Sequence, residues 1–180
     1  MLQITGQDRV AAMSLARKGV LVPLERAVLS APKGTILMAC GDCDQEPDLR
    51  RRHDRGFRNS RGRHHPLMLN GGALRIAPEL SGGADKVLLK DAANAIGMKN
   101  ITTIAAYGHW PCGQALSSGF DFNGMVAALI STKAIIRDGV PGLEKLYHLV
   151  HIDWGRWHPF PWRNRGSYVL DFGRYATLAR

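Results

Sequence analysis

Three side chains in this sequence are of the kind that hold a metal, and their spacing sets the chemistry. His109-Trp110-Pro111-Cys112-Gly113 puts an imidazole and a thiol three positions apart, just beyond a β-like run over 101–106. Cys40-Gly41-Asp42-Cys43 closes an earlier apolar run over 35–40. Thiolates with an imidazole select zinc over magnesium or calcium. Cys40, His109 and Cys112 together leave a fourth position for water, which is the catalytic form of a zinc site. If the chain stays extended from Cys40 to Asp42, those two side chains share a face and Cys43 turns away. Asp42 is then the catalytic candidate, because a carboxylate there accepts a hydrogen bond from zinc-bound hydroxide and orients it. Zinc can lower the pKa of a bound water from about 15.7 toward about 7. The same residues permit a closed alternative. Cys40-x-x-Cys43 with His109-x-x-Cys112 is a four-ligand structural spacing, and Asp42 is another candidate for the fourth ligand. The long separation between the halves ranks the closed site second.

The elements that must position these residues follow from local pattern. Thr5-Gly6-Gln7-Asp8 resembles a capping box, opening a helix to about Arg17. Pro23 is expected to open a second helix with Leu24, Val28 and Ala31 on one face. The two make residues 1–32 an N-terminal helical segment. A fully buried strand over 35–40 comes next, and a short strand over 67–69 ends in the turn Asn70-Gly71-Gly72. Leu88, Ala92, Ala95 and Ile96 mark a helix that Gly97 is expected to stop. The strand over 101–106 leads to the His-Cys motif, and a helical segment after Gly113 breaks near Gly119. Asp121 or Asn123 caps a helix to about Arg137, with Met125, Leu129 and Ile136 inward. Pro141 starts a short helix. Strands are expected over 147–153 and 167–172. Between them Trp154, Trp157, Phe160 and Trp162 form an aromatic, Pro-rich stretch expected to pack under the domain or between subunits. Alternating strands and helices imply an α/β fold with a mostly parallel sheet. In open sheets of this kind sites form at the carboxyl ends of strands, where Cys40 and His109 lie.

The totals bound the rest. The 180 residues fit a single domain, 1–180, with a substantial core. Hydrophobic residues are 45% and charged residues 22%, which excludes a disordered chain. No apolar run is long enough for a bilayer span. All 3 cysteines fall in the two strand-end motifs, which favours ligand chemistry in a reduced, cytoplasmic setting over a disulfide scaffold. An organelle matrix stays open.

The formal charge is +9, and much of it comes from one stretch. Arg50, Arg51, Arg52, Arg55, Arg58, Arg61 and Arg63 fall within 46–65, with His53, His64 and His65. Gly56, Asn59, Ser60 and Gly62 lead to the expectation of a loop there. It is either a solvated surface loop or an arm whose guanidiniums contact nucleic acid or an acidic protein.

Taken together, these motifs resemble those of the β-class carbonic anhydrases. That family carries Cys-x-Asp-Ser-Arg after its first strand and His-x-x-Cys-Gly after a later one. Cys40-Gly41-Asp42 matches the start of the first, and His109 to Gly113 matches the second. Asn70-Gly71-Gly72 stands where the family has Asn-Ala-Gly. The resemblance implies four parallel strands plus one antiparallel, a homodimer or higher oligomer, and Zn2+ on Cys40, His109 and Cys112. It implies reversible hydration of CO2 to bicarbonate, with Asp42 beside the metal. One departure bears on activity: the family's Ser-Arg is Cys43-Asp44 here, so the Arg that pairs with the Asp is missing. Either Asp42 swings onto the metal as a fourth ligand and closes the site, or an Arg from the basic stretch such as Arg50 or Arg51, or one from a second subunit, replaces the missing partner. The alternative function is an impaired anhydrase-like protein with structural zinc and a binding role for the Arg-rich stretch.

Overall fold

Two strands at the middle of one sheet are buried along their whole length, and both lead to the ligands. A computed structural model describes residues 2–42, 44–156 and 163–178. In chain order the elements are α1 (Gly6–Arg17), β1 (Leu21–Pro23), β2 (Thr35–Cys40), α2 (Glu46–Gly56), β3 (His64–Leu69), α3 (Ala84–Lys99), β4 (Thr103–Trp110), α4 (Gly113–Ser117), α5 (Phe122–Gly139), β5 (Lys145–Arg156), β6 (Arg163–Leu170) and α6 (Phe172–Leu178). The strand order is β1-β6-β5-β4-β2-β3. Strands β3, β2, β4 and β5 run parallel, and β6 is antiparallel to β5. The short β1 pairs antiparallel with the outer side of β6. The expected four parallel strands and one antiparallel strand are therefore present, with β1 added. Pro66 is tolerated inside β3 because β3 is an edge strand.

Side-chain alternation divides the core between the two faces of the sheet. Ile36, Met38, Ile104 and Ala106 point to one face, where they meet Leu88, Ala92 and Ala95 of α3 and Met125, Leu129 and Ile136 of α5. Leu37, Ala39, Ala105 and Tyr107 point to the other, against Leu24, Leu49 and Phe57. Thr5 caps α1, accepting from the Asp8 N–H at 3.1 Å, and Asp8 in turn accepts from the N–H of Phe122 at 3.0 Å. Asp121 caps α5 through Gly124 at 2.7 Å.

The Arg-rich stretch 46–65 is not a loop. It folds as α2, a 3-10 turn (Arg58–Ser60) and the first residues of β3. Pro47 sits in the first turn of α2, with Glu46 and Asp48 near its amino end, where acids favour a helix. Glu46–Arg50 and Asp48–Arg52 are i,i+4 ion pairs at 2.6 and 2.7 Å. Leu49, His53 and Phe57 recur at four-residue intervals and are all buried. Only two of those three are apolar, so the helical period is faint in the sequence.

Smaller corrections have equally local causes. Pro23 ends β1 and precedes a 3-10 turn rather than a longer helix, and Val28 is 97% exposed. Helix α3 runs past Gly97 and stops at Asn100, whose φ of 53° is left-handed. Pro141 lies in a turn. Strand β4 continues to Trp110 because its pairing with β5 extends through His109 and Trp110. Trp154 is partly buried, donating from Nε1 to the Tyr168 hydroxyl at 3.2 Å. Trp157, Phe160 and Trp162 lie outside the described residues.

Core histidines, His53 and His148 among them, give the fold a pH dependence. His53 lies 2.8 Å from Thr35 Oγ1, and His148 lies 2.9 Å from Thr132 Oγ1. Burial first, then His64 and Arg50, push His53 down to about 3. Burial, Lys133 and Arg137 do the same to His148, also to about 3. Between the unfolded value near 6.5 and these folded values, the unfolded chain binds more protons. Stability is thus full above about pH 6.5 and falls as pH drops toward 3, by up to about 1.4 kcal/mol per pH unit for each histidine. Urea unfolding of the metal-free protein at several pH values between 7.5 and 5 should show this slope, and His53→Gln should reduce it. A flat profile in the unsubstituted protein would contradict the assignment.

Candidate metal centre

Strands β2 and β4 are neighbours, so their carboxyl ends deliver the two motifs to one place. Cys40 is the last residue of β2, His109 is the penultimate residue of β4, and Cys112 immediately precedes α4. Their Sγ, ring-nitrogen and Sγ atoms lie within 4.8 Å of one another. All three residues are buried, Cys40 at 8% exposure, His109 at 2% and Cys112 at 0%.

The turn after β3 supports Cys40 from the side. The N–H of Gly71 donates to Cys40 Sγ at 3.2 Å. Gly72, with φ +56°, packs so closely that an added Cβ would stand 2.5 Å from the Cys40 nitrogen. The glycines of the turn Asn70-Gly71-Gly72 thus let its backbone approach the ligand strand closely. On the other side Gln45 donates from Nε2 to the Pro111 carbonyl at 3.0 Å, tying the start of α2 to the His-Cys loop.

The electrostatics of the group prepare it for a cation. The Cys112 thiol lies against the Cys40 sulfur. That contact, opposed by burial and reinforced by His109 and the Gly71 N–H, holds Cys40 well below the usual thiol range. The same contact, together with burial, pushes Cys112 up. Neither ring nitrogen of His109 has a hydrogen-bond partner among the described residues. A buried imidazole with both nitrogens unsatisfied is costly, and a metal relieves one of them. Zinc ligands at about 2.0–2.3 Å stand roughly 3.5–4 Å apart in a tetrahedral set, a separation the observed cluster accommodates with small movements. The donors, their spacing and the orphaned imidazole all fit a Cys2His metal site of the zinc type.

A cavity of about 360 Å³ opens over the cluster, lined by Leu2, Asp42, Asn70, Gly71, Gln114 and Ser117 beside the three ligands. Strand β2 ends before Asp42, so an extended chain does not bring it there. A turn does: the Asp42 carbonyl accepts from the N–H of Glu46 at 2.8 Å, and Oδ1 accepts from the N–H of Asp44 at 2.9 Å. Asp42 lines the cavity but is not among the atoms within 4.8 Å. It has no ion pair among the described residues. The substitutes expected from α2 do not reach it, because Arg50 pairs with Glu46 and Arg51 with Asp48. Cys43, the other candidate for a closed site, lies outside the described residues.

Residue-level reading missed part of the cavity wall. Gln114 follows Cys112-Gly113 directly, and its place in the sequence was a usable signal. Leu2 carried none, since only the packing of the N-terminus brings its side chain within 3.7 Å of where a Cβ on Gly113 would be.

No protein-family model matches the chain, and no curated protein matches it.

Proposed function

We propose that this protein is a zinc-dependent carbonate dehydratase, converting CO2 and water to bicarbonate and a proton. The observation that carries the reading is a Cys2His cluster opening onto a cavity with a carboxylate, Asp42, at its wall. A bound zinc supplies Lewis acidity that makes a water nucleophilic near neutral pH. The chain's own residues do the rest. Cys40, His109 and Cys112 hold the ion. Asp42, steadied by the Asp44 N–H through one oxygen, keeps its other oxygen to accept a proton or orient the attacking water. Leu2 offers CO2 an apolar wall, and the amides of Asn70 and Gln114 can receive the product's oxygens. The resemblance of the two motifs to those of the β-class carbonic anhydrases supports the same reading.

A stopped-flow CO2 hydration assay on protein of measured zinc content tests it. A rate well above buffer is expected. Zinc present with no rate above buffer would remove the enzyme. Asp42→Asn should keep its zinc and lose roughly 10²-fold in kcat/KM, the scale of a lost proton-transfer group. An unchanged rate in that variant would take Asp42 out of the mechanism.

A second reading has an observation of its own. Arg55, Arg58, Arg61 and Arg63 are exposed, and none of them forms an ion pair among the described residues. With Asp42 also lacking a guanidinium, a structural zinc and a polyanion-binding surface of nucleic-acid or acidic-protein specificity form a coherent alternative. It predicts binding to nucleic acid whose log K falls linearly with log salt, with a slope reduced by about one for each contacting arginine replaced by Gln. No detectable binding at low salt, to nucleic acid or to an acidic protein, would exclude it.

A further inference from the structure

Two buried imidazoles stand side by side behind the candidate metal centre. His109 on β4 and His151 on β5 are register partners in a parallel pair. Their side chains therefore leave the same face of the sheet, the face shared by Tyr107 and Leu149 two residues earlier. Neighbouring strands are about 4.8 Å apart, so the rings are neighbours. His151 is 0% exposed. Its Nδ1 lies 2.9 Å from Ser167 Oγ, but its Nε2 has no hydrogen-bond partner among the described residues. The nearest carboxylate oxygen, Asp48 Oδ2, is 3.8 Å from that nitrogen, too far for a hydrogen bond. That carboxylate is already held by Arg51 and Arg52.

A neutral imidazole that ligates a metal gives one nitrogen to the ion and carries its proton on the other. The protonated nitrogen of His109 needs an acceptor in a place closed to solvent. We propose that His151 is the positioning residue of His109: its unpartnered Nε2 takes the N–H that His109 turns away from the two sulfurs, directly or across one buried water. Ser167 prepares that acceptor by accepting a hydrogen bond from His151 Nδ1–H, which leaves the lone pair on Nε2. The pair fixes the His109 ring in the tautomer and orientation that bind metal, the role such outer partners play for metal-bound histidines. Asp48, with its arginines, closes the outer side of His151. The inference rests on the metal-centre reading and names the residue that tunes it.

The test uses the full chain, stripped of metal and titrated with zinc against a chromophoric chelator, and in parallel with cobalt(II) read by its visible bands. His151→Ala is expected to bind zinc about 10- to 100-fold more weakly, with altered cobalt bands. His151→Gln, whose amide oxygen can accept the same N–H, should recover most of the loss. Ser167→Ala should weaken binding by a smaller factor. Metal-free unfolding is measured on every variant. Lower metal-free stability with zinc affinity and cobalt bands unchanged would make His151 a packing residue and overturn the proposal. If His151→Ala does not fold, the comparison passes to Ser167→Ala and His151→Gln, and wild-type zinc affinity in Ser167→Ala overturns it as well. An unsubstituted protein that binds no zinc removes the metal centre itself. An unsubstituted protein that binds zinc, with variants that match it, removes only the role of His151.

Discussion

Cys40→Ser should leave the protein folded and nearly free of zinc. Three ligands share the binding energy, and structural zinc sites of four ligands are worth about 10–16 kcal/mol. One thiolate therefore accounts for roughly 3–4 kcal/mol, or about 10²- to 10³-fold in affinity. A serine hydroxyl replaces it poorly, because it is a hard donor that stays protonated near neutral pH. The loss reaches beyond the direct bond. The Cys112 thiol and His109 beside it hold Cys40 well below the usual thiol range. With serine in its place, Cys112 loses that contact. Zinc measured after dialysis against a weak chelator should fall from roughly one ion per chain to a small fraction, and CO2 hydration should fall to the buffer rate. Fold retention is checked by circular dichroism, since position 40 lies at the end of β2 and a serine is nearly isosteric. Zinc retained at full occupancy in this variant would show that the ion, if bound, sits elsewhere.

Gly72→Ala should be among the most damaging single substitutions for stability. The backbone at Gly72 is left-handed, with φ +56°, which costs an L-residue about 1 kcal/mol before any contact is considered. The new Cβ would then stand 2.5 Å from the Cys40 nitrogen and 2.6 Å from the Ala39 carbonyl carbon. Both are backbone atoms of a strand buried on its two faces, so neither can swing aside as a side chain would. Either β2 shifts at its carboxyl end or the turn after β3 backs away. The second response pulls the Gly71 N–H from Cys40 Sγ. A destabilisation of about 3 kcal/mol or more is expected, the scale of strain combined with overpacking, together with weaker zinc binding. Urea unfolding of metal-free protein measures the first effect and chelator competition the second. A change below about 0.5 kcal/mol, the range of an ordinary surface substitution, would mean that the turn does not press on β2.

Both expectations depend on a junction that the sequence announced only in part. Residue types and spacing were enough to pick out Cys40, His109 and Cys112 as candidate metal donors, and the fold brings them together. The unbroken apolar runs of β2 and β4 likewise announced buried parallel strands, since such runs fit a sheet covered on both faces. Helix α1 was legible from its cap, α3 from its apolar period and α5 from both. Helix α2 was not, because its buried stripe of Leu49, His53 and Phe57 is thin and arginines occupy the rest. Its signals were ion pairs and a first-turn proline, which read as polarity to a scan for hydrophobic period.

The sequence by itself singled out the candidate donors, since donor chemistry belongs to residue types. It also determined the class of fold, since periodicity belongs to local order. Tertiary structure alone decided the placing of Asp42 at the cavity by a turn instead of a strand. It decided that the arginines of α2 answer its own acids, and that His151 stands beside His109. Each of these depends on pairings between segments far apart in the chain. Register and packing set those distances, and no local pattern encodes them.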